Sequence, residues 1–402
     1  MRVAGIVAEY NPFHNGHAIH IEKTREPNGG CEATHIVAIM SGSFVQRGEP
    51  AVLTKFDRAK AALAGGVDLV IELPLPWCLS SAEGFALGAI SLLNSLGCVN
   101  VLSFGSEVGK IEPLQKAVTI METPRFASLL KYQLGLGISF AEAQQKALAE
   151  IAGTTAASVL ETPNNTLGIE YLKALRNGDS PMELFTVQRQ GSSHDSMTPI
   201  GNIASASYLR TLLFSDRLLN TLPYMPAGCA AVISKAAKEG RVPTIADALD
   251  RAVLSQLRRL SPDDFKALPA MSEGLENRVY AATRKASSLK ELEESIKTKR
   301  YPLTRIRRLI WSAFLGVTKE YTAKKPPYIR VLAANERGKE ILSVAKPTAP
   351  LLYRASQVAK LDEECQRLWE LETRATDLHA LACPIPLPCG TDHTTGLIKS
   401  YD

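Results

Sequence analysis

Four short runs of apolar residues punctuate the first hundred positions: Val3–Ala8, His35–Ser41, Val67–Pro74 and Val99–Gly105. They are rich in Val, Ile and Leu and lack polar alternation, so as strands they must be covered on both faces. Helical stretches fall between them, near 16–25, 55–64 and 82–96. A βαβαβα order with fully buried strands predicts an α/β fold, a Rossmann-like doubly wound parallel sheet with right-handed crossovers.

From about 110 to 180 the pattern turns helical. Ser139–Ala152 is rich in Ala, Gln and Glu, and Asn164–Asn177 follows Pro163 with Asn as a candidate cap. Phe185–Arg189 reads as a further strand, residues 191–196 as a polar loop and Ala204–Phe214 as a short helix. Pro223 and Pro226 suggest a linker. Residues 229–315 read as helical, Tyr328–Ala334 and Glu336–Ala345 as one late strand and helix, and the tail from Ala382 as loose. The expected division is a ligand-binding domain over 1–222, with a helical insertion at about 110–180, then a mainly helical, basic domain over 223–402.

Charge separates these halves. The 402 residues carry a net +5, but residues 1–200 hold 15 basic and 19 acidic side chains, leaving 31 and 22 for the remainder. Residues 275–345 alone hold 16 basic and 7 acidic. That is the footprint of a polyanion partner, although solvated helix faces also use such charge. Seven scattered cysteines without a CxxC point to reduced thiols. No apolar run reaches the roughly 20 residues of a membrane span, and the start is too soon interrupted by Glu9 for a signal peptide. A cytoplasmic protein with no membrane association is expected.

The chemistry concentrates in Glu9-Tyr10-Asn11-Pro12-Phe13-His14-Asn15-Gly16-His17, directly after the first strand. A strand C-terminus in such a sheet faces the ligand crevice. Pro12 ends the strand, Gly16 permits close backbone approach, and the following helix turns unpaired N–H groups toward a phosphate. His14 and His17, three apart, can donate to phosphate oxygens from one side of that turn. Phosphoryl chemistry asks for such charge stabilisation and in-line positioning more than for a protein nucleophile. His-x-x-His also occurs as a metal pair or a capped helix start.

His14-Asn15-Gly16-His17 resembles the His-x-Gly-His motif of the nucleotidyltransferase superfamily related to class I aminoacyl-tRNA synthetases. Residues 8–17, 40–51, 102–107, 163–175 and 299–308 together resemble the bacterial tRNA(Met) cytidine acetate ligases, over about residues 2 to 380. The resemblance implies a nucleotidyltransferase-type fold and an enzyme that activates acetate with ATP as acetyl-adenylate. The acetyl group then passes to N4 of the wobble cytidine of elongator tRNA(Met). It implies that His14 and His17 act on the α-phosphorus, with Val7, Ala8, Glu9, Tyr10, Asn11, Pro12, Phe13, Asn15, Gly16, Ala18, Ile19 and His20 forming the ATP-binding strand and turn. It further implies Gly105, Asn164 (or Asn165) and Arg189 as ATP contacts. Ser205, Ser207 and Arg210 would hold the β- and γ-phosphates. Mg²⁺ is expected to accompany the triphosphate, and no obligatory protein partner is expected.

Arg47 and Lys55 are candidates to offset charge on the adenylate or the incoming carboxylate. Lys299, Arg300, Arg305, Arg307 and Arg308, with Lys324, Lys325 and Arg330, would grip tRNA phosphates, while Tyr301, Trp311 and Tyr328 could stack bases. The alternative for these is a solvated basic face over core aromatics. His379, Cys383, Cys389 and His393 are metal-ligand types in an uncommon spacing, and no metal site is expected there. Two other readings compete. A small-molecule adenylyltransferase would share His14, His17 and Arg210 without needing the basic half, and a non-catalytic RNA-binding protein would leave the histidine motif without purpose. An aminoacyl-tRNA synthetase would carry a Lys-Met-Ser-Lys-Ser segment, which this sequence lacks.

Overall fold

The computed structural model describes residues 1–178, 180–189, 198–272 and 274–399; the polar loop expected at 191–196 lies outside them. In chain order the strands are β1 (Val3–Ala8), β2 (His35–Ser41), β3 (Phe44–Val45), β4 (Glu49–Pro50), β5 (Leu69–Leu73), β6 (Val101–Ser106), β7 (Glu183–Gln188), β8 (Ile329–Ala334), β9 (Leu351–Leu352) and β10 (Ile398–Lys399). Eight of them form one sheet in the order β10-β8-β5-β2-β1-β6-β7, with β9 on β8; β3 and β4 form a separate hairpin. The run β5-β2-β1-β6-β7 is parallel throughout.

Strand pleat explains why the apolar runs needed no polar residues. Val3, Val37, Ile39, Leu69 and Ile71 point into one core, while Ala4, Ile6, Ile36, Ala38 and Val70 point into a second on the opposite face. Helices Asn15–Arg25, Lys55–Ala64, Ala206–Phe214 and Ala227–Lys238 contribute to the second core. Ala82–Leu96 and Pro163–Asn177 cover the first, which runs on without a break through Leu254, Leu309, Trp311 and Trp369 of the later helices. Each such side chain taken fully out of water contributes roughly 1.5–3 kcal/mol.

That continuity carries the later half of the chain into the same sheet and core. β8 leaves the later helices and joins the sheet antiparallel to β5, Glu72 facing Arg330, and β10 then pairs with β8. The physical reason is in the strand: all six residues of Ile329–Ala334 are buried, and a lone strand among helices could not satisfy its backbone there. The tail is likewise packed rather than loose. Thr391–Thr394 forms a helical turn that buries Asp392, and Ile398–Lys399 adds β10. The helix expected from Asn164 begins at Pro163, with Thr162 in the cap position.

Four buried charges pin the tail. Lys55 Nζ lies 2.8 Å from Glu72 and 2.9 Å from Asp392, and Arg330 lies 3.0 Å and 2.6 Å from the same two carboxylates. Arg330 also stacks over Trp369 at 4.4 Å. Lys55 and Arg330 are therefore sealed within the fold, which corrects both as candidates for substrate or tRNA contacts.

Candidate active site

β2 lies on one side of β1 and β6 on the other, so the chain reverses its winding at β1 and a crevice opens over the C-terminal ends of β1 and β6. A cleft of about 640 Å³ occupies that position. Of the residues expected there, Val7, Ala8, Glu9, Tyr10, Asn11, His14, Gly16, His17, Ile19, His20, Gly105, Asn164, Arg189, Ser205 and Arg210 line it, and so does Arg47. Pro12, Phe13, Asn15, Ala18 and Ser207 do not border it. Phe13 is buried, and Asn15 Nδ2 donates to the carbonyls of Asn202 and Pro223, tying the turn to the chain beyond.

The two histidines are fixed by the helix they begin. His14 is the N-cap of Asn15–Arg25: its Nδ1 accepts from Gly16 N at 3.1 Å, while His17 Nδ1 accepts from His14 N at 3.2 Å. With both Nδ1 atoms accepting, a neutral ring at either position carries its hydrogen on Nε2, which makes that nitrogen a donor. The rings stack at 3.8 Å. Glycine at residue 16 leaves room for the His14 ring, since a Cβ there would stand 2.9 Å from it and displace it. Behind them Tyr10 holds a left-handed φ of 46°, which costs a non-glycine residue about 1–2 kcal/mol. Its buried ring packs on Phe13 at 4.8 Å and edge-on to His17 at 5.0 Å.

At one end of the cleft Ser205 caps Ala206–Phe214, accepting from Tyr208 N, and Arg210 donates to the Asn11 carbonyl at 2.9 Å and to Ser207 Oγ at 3.2 Å. Ser207 thus reaches the site through Arg210. At the other end Arg189 Nη1 donates to Asn164 Oδ1 at 3.4 Å. Asn165 turns away, its Oδ1 accepting from Glu107 N and Val108 N. Of the two asparagines, Asn164 therefore borders the cleft.

Sequence reasoning assigned no role to Glu107. Its carboxylate accepts from Asn164 Nδ2 at 2.6 Å and Asn165 N at 2.9 Å, orienting the asparagine that Arg189 also holds. Burial pushes this carboxyl up, but the hydrogen bonds, Asn164's first, hold it below its ordinary range. An acidic residue just after β6 was the available signal, yet its partners lie 57 and 58 positions away. Arg58 was missed as well. Fully buried, it donates to the carbonyls of Glu9, Ser41, Gly42 and Leu53, binding the ends of β1 and β2 into one floor. Burial lowers its pKa to about 10. Burial also pushes His20 down to about 4, with Arg189 adding to the effect, so His20 is a neutral partner of Ser103 Oγ at 2.9 Å. Glu9 is raised by the same cause, opposed by the Gln46 N–H at 2.7 Å.

The basic stretch divides on folding. Lys299 and Arg300 are exposed, as are Lys324, which pairs with Glu364, and Lys325. Helix Leu303–Leu315 carries the remainder: Arg305 donates to the Ala270 carbonyl, Arg307 pairs with Glu293 at 3.0 Å, and Arg308 donates to the Gln46 carbonyl at 3.2 Å. Burial lowers Arg308 to about 10. Trp311 and Tyr328 are core residues at 2% and 1% exposure, which corrects them as base-stacking platforms; Tyr301 remains half-buried. Among the described residues no three His, Cys, Asp or Glu side chains group as metal ligands. His379 Nε2 donates instead to the Ala51 carbonyl at 2.7 Å, and Cys383 Sγ lies 3.8 Å from the Arg241 carbonyl.

Comparison with known proteins agrees with this geometry. The family described as HIGH Nucleotidyl Transferase matches residues 1–388. The chain is 37% identical to the tRNA(Met) cytidine acetate ligase of Alkaliphilus metalliredigens over 95% of this chain and 94% of that protein. It is 39% identical to the enzyme of the same name from Caldicellulosiruptor saccharolyticus, again over 95% and 94%. The crystal structure of Thermotoga maritima TmcAL in its apo form superposes with a TM-score of 0.93 at 33% identity, covering all of both chains. The form bound with alpha-thio ATP superposes at 0.90 and 32% identity, again over all of both.

Proposed function

This chain belongs to the HIGH nucleotidyl transferase family, among the tRNA(Met) cytidine acetate ligases, and from that premise we propose that it joins acetate to tRNA(Met) at the expense of ATP. An acetate oxygen attacks the α-phosphorus in line, the bond to the bridging oxygen of the β-phosphate breaks, and pyrophosphate leaves. The exocyclic N4 amine of the wobble cytidine of elongator tRNA(Met) then attacks the acetyl carbonyl carbon, a proton is lost from nitrogen, and AMP departs. Activation is required because that amine is a poor nucleophile, and a mixed anhydride supplies a good leaving group.

The observation that carries this reading is the pair of imidazoles, His14 and His17, locked by the helix cap and lining a switch-point cleft. His14 and His17 are the catalytic residues, opposing negative charge as it builds on the α-phosphate. Arg210, with Ser205 and with Ser207 behind it, holds the β- and γ-phosphates as pyrophosphate leaves. The stretch Val7–His20 supplies the strand and turn under the nucleotide, and Gly105, Asn164 and Arg189 border its base and ribose. Arg47, on the same cleft wall as Glu9 and Gln46, suits the acetate carboxylate. Mg²⁺ would arrive on the triphosphate; among the described residues no three His, Cys, Asp or Glu side chains group as ligands for it.

Lys299 and Arg300, with Arg305, Arg307 and Arg308 of the helix that follows them, reach tRNA phosphates, and Arg308 also ties that helix to the Gln46 carbonyl. Among the described residues no helix is long and apolar enough to cross a membrane. Work on tRNA would take place in the cytoplasm, with no obligatory protein partner. ATP–pyrophosphate exchange with and without acetate, before tRNA is added, tests the first step. Acetate-dependent exchange is expected. Its absence even with tRNA(Met) present would overturn the ligase reading in favour of a small-molecule adenylyltransferase.

A further inference from the structure

Arg210 has a third neighbour beside Asn11 and Ser207. Its Nε lies 3.6 Å from Glu49 Oε1, a buried oxygen with no hydrogen-bond partner among the described residues. The other oxygen of Glu49 lies 3.9 Å from Arg307 Nη1 on the basic helix, and Arg307 Nε is held by Glu293 at 3.0 Å. Charges therefore alternate from one pair to the next, Arg210, Glu49, Arg307, Glu293, from the nucleotide cleft to the basic helix Leu303–Leu315 that follows Lys299 and Arg300. The backbone keeps that series short. Gly48, at φ +76°, seats the hairpin directly on the helix: a Cβ there would stand 2.5 Å from Arg308 N. Arg308 in turn donates to the Gln46 carbonyl.

A carboxylate at 3.6 Å from a phosphate-binding arginine, without a hydrogen bond, is weakly held and easily displaced. A triphosphate offers Arg210 more negative charge in the same place and repels Glu49. We propose that Glu49 is a positioning residue that stands in for a phosphate, keeping Arg210 aimed into the cleft, and that it transfers its charge to Arg307 when the triphosphate takes Arg210. This rests on the assignment of Arg210 to the phosphates and of the basic helix to tRNA. Its consequence is an order of events. With triphosphate bound, Arg307 lies between two carboxylates and is less available to tRNA; once pyrophosphate leaves, Arg210 reclaims Glu49 and Arg307 is released. Triphosphate and tRNA then oppose each other's binding by the same factor.

The full chain and Glu49→Gln would be compared by calorimetric titration with Mg–pyrophosphate, and by tRNA(Met) binding with and without a non-hydrolysable ATP analogue. The variant is expected to bind pyrophosphate about threefold or more tightly, having lost the competitor for Arg210. The analogue is expected to weaken tRNA binding severalfold in the parent and by less than about twofold in the variant. Unchanged or weaker pyrophosphate binding in Glu49→Gln overturns the proposal, the weaker outcome being what a merely structural role gives. An undiminished tRNA effect in the variant also overturns it, since plain repulsion between two polyanions then suffices. Should the parent bind pyrophosphate but no tRNA, the tRNA assignment fails, and the pyrophosphate comparison alone decides whether Glu49 is a phosphate stand-in.

Discussion

Arg210 and Arg330 are both paired with carboxylates, yet they occupy opposite kinds of site. Arg330 lies between Glu72 and Asp392 at 3.0 and 2.6 Å, with Lys55 facing the same two carboxylates and Trp369 beneath the guanidinium. Arg210 borders a cleft of about 640 Å³ and, among the described residues, has one carboxylate no closer than 3.6 Å and two neutral acceptors. The first arrangement has no charge left to offer a ligand. The second keeps its arginine oriented by weak partners that a phosphate can replace. A buried ion pair adds little over an apolar pair of equal volume but is costly to break, which suits it to fixing a tail in one place. A half-open cation suits exchange.

Removing the donors at the cleft should have the largest effect. His14→Ala with His17→Ala is expected to lower ATP–pyrophosphate exchange by at least about 10³-fold, while loss of the His14 cap costs only about 1 kcal/mol of stability in urea. A double variant that unfolds, or one that keeps its exchange rate, breaks the contrast between the two regions. Asp392→Asn is the converse. It leaves Lys55 and Arg330 sharing one carboxylate and should lower the unfolding free energy by about 3–5 kcal/mol, with nucleotide affinity unchanged at temperatures where the fold persists. Urea denaturation beside nucleotide titration reads both.

A smaller effect sharpens the comparison through pH. Burial holds His379, beside Lys55 and Arg58, down at about 4, against 6.5 for a free imidazole. Between those values the unfolded chain binds the proton that the folded one refuses, so stability falls as pH drops from 6.5 toward 4. At pH 5 this amounts to about 2 kcal/mol. His379→Gln, which can still donate to the Ala51 carbonyl, should flatten that part of the stability profile; an unaltered profile would locate the titration elsewhere. The smallest effect is at the surface. Lys299→Ala with Arg300→Ala is expected to reduce the slope of log tRNA affinity against log salt by about 1.5 and to leave exchange untouched, in contrast to any change at His14 or His17.

Much of the cleft was legible before folding because its parts are local. The strand that ends at Ala8, the turn through Pro12 and the helix that His14 caps are consecutive, so spacing alone put two imidazoles beside a helix N-terminus. Gly105 and Arg189 came from the family resemblance, and their places at strand ends fit it, since a parallel sheet gathers those ends on one edge. Glu107 was not legible, because its role exists only when the Pro163–Asn177 helix brings Asn164 to it. Arg58 reads as one more cation on a helix until the carbonyls of Glu9, Ser41, Gly42 and Leu53 close around it. Lys55, Trp311, Tyr328 and Arg330 misled for the same reason: composition does not say which face of an element is covered.

Sequence alone determined the parallel sheet, the histidine turn and the charge division between the halves, because strand burial, helix capping and net charge depend on residues near one another in the chain. Tertiary structure decided that β8 and the tail return to the sheet, that four charges are sealed around Glu72 and Asp392, and that Glu49 stands between Arg210 and Arg307. Those facts rest on pairings across as many as 337 positions, as between Lys55 and Asp392. A Coulombic interaction depends on distance and on the water excluded around it, and neither is fixed until the chain has packed.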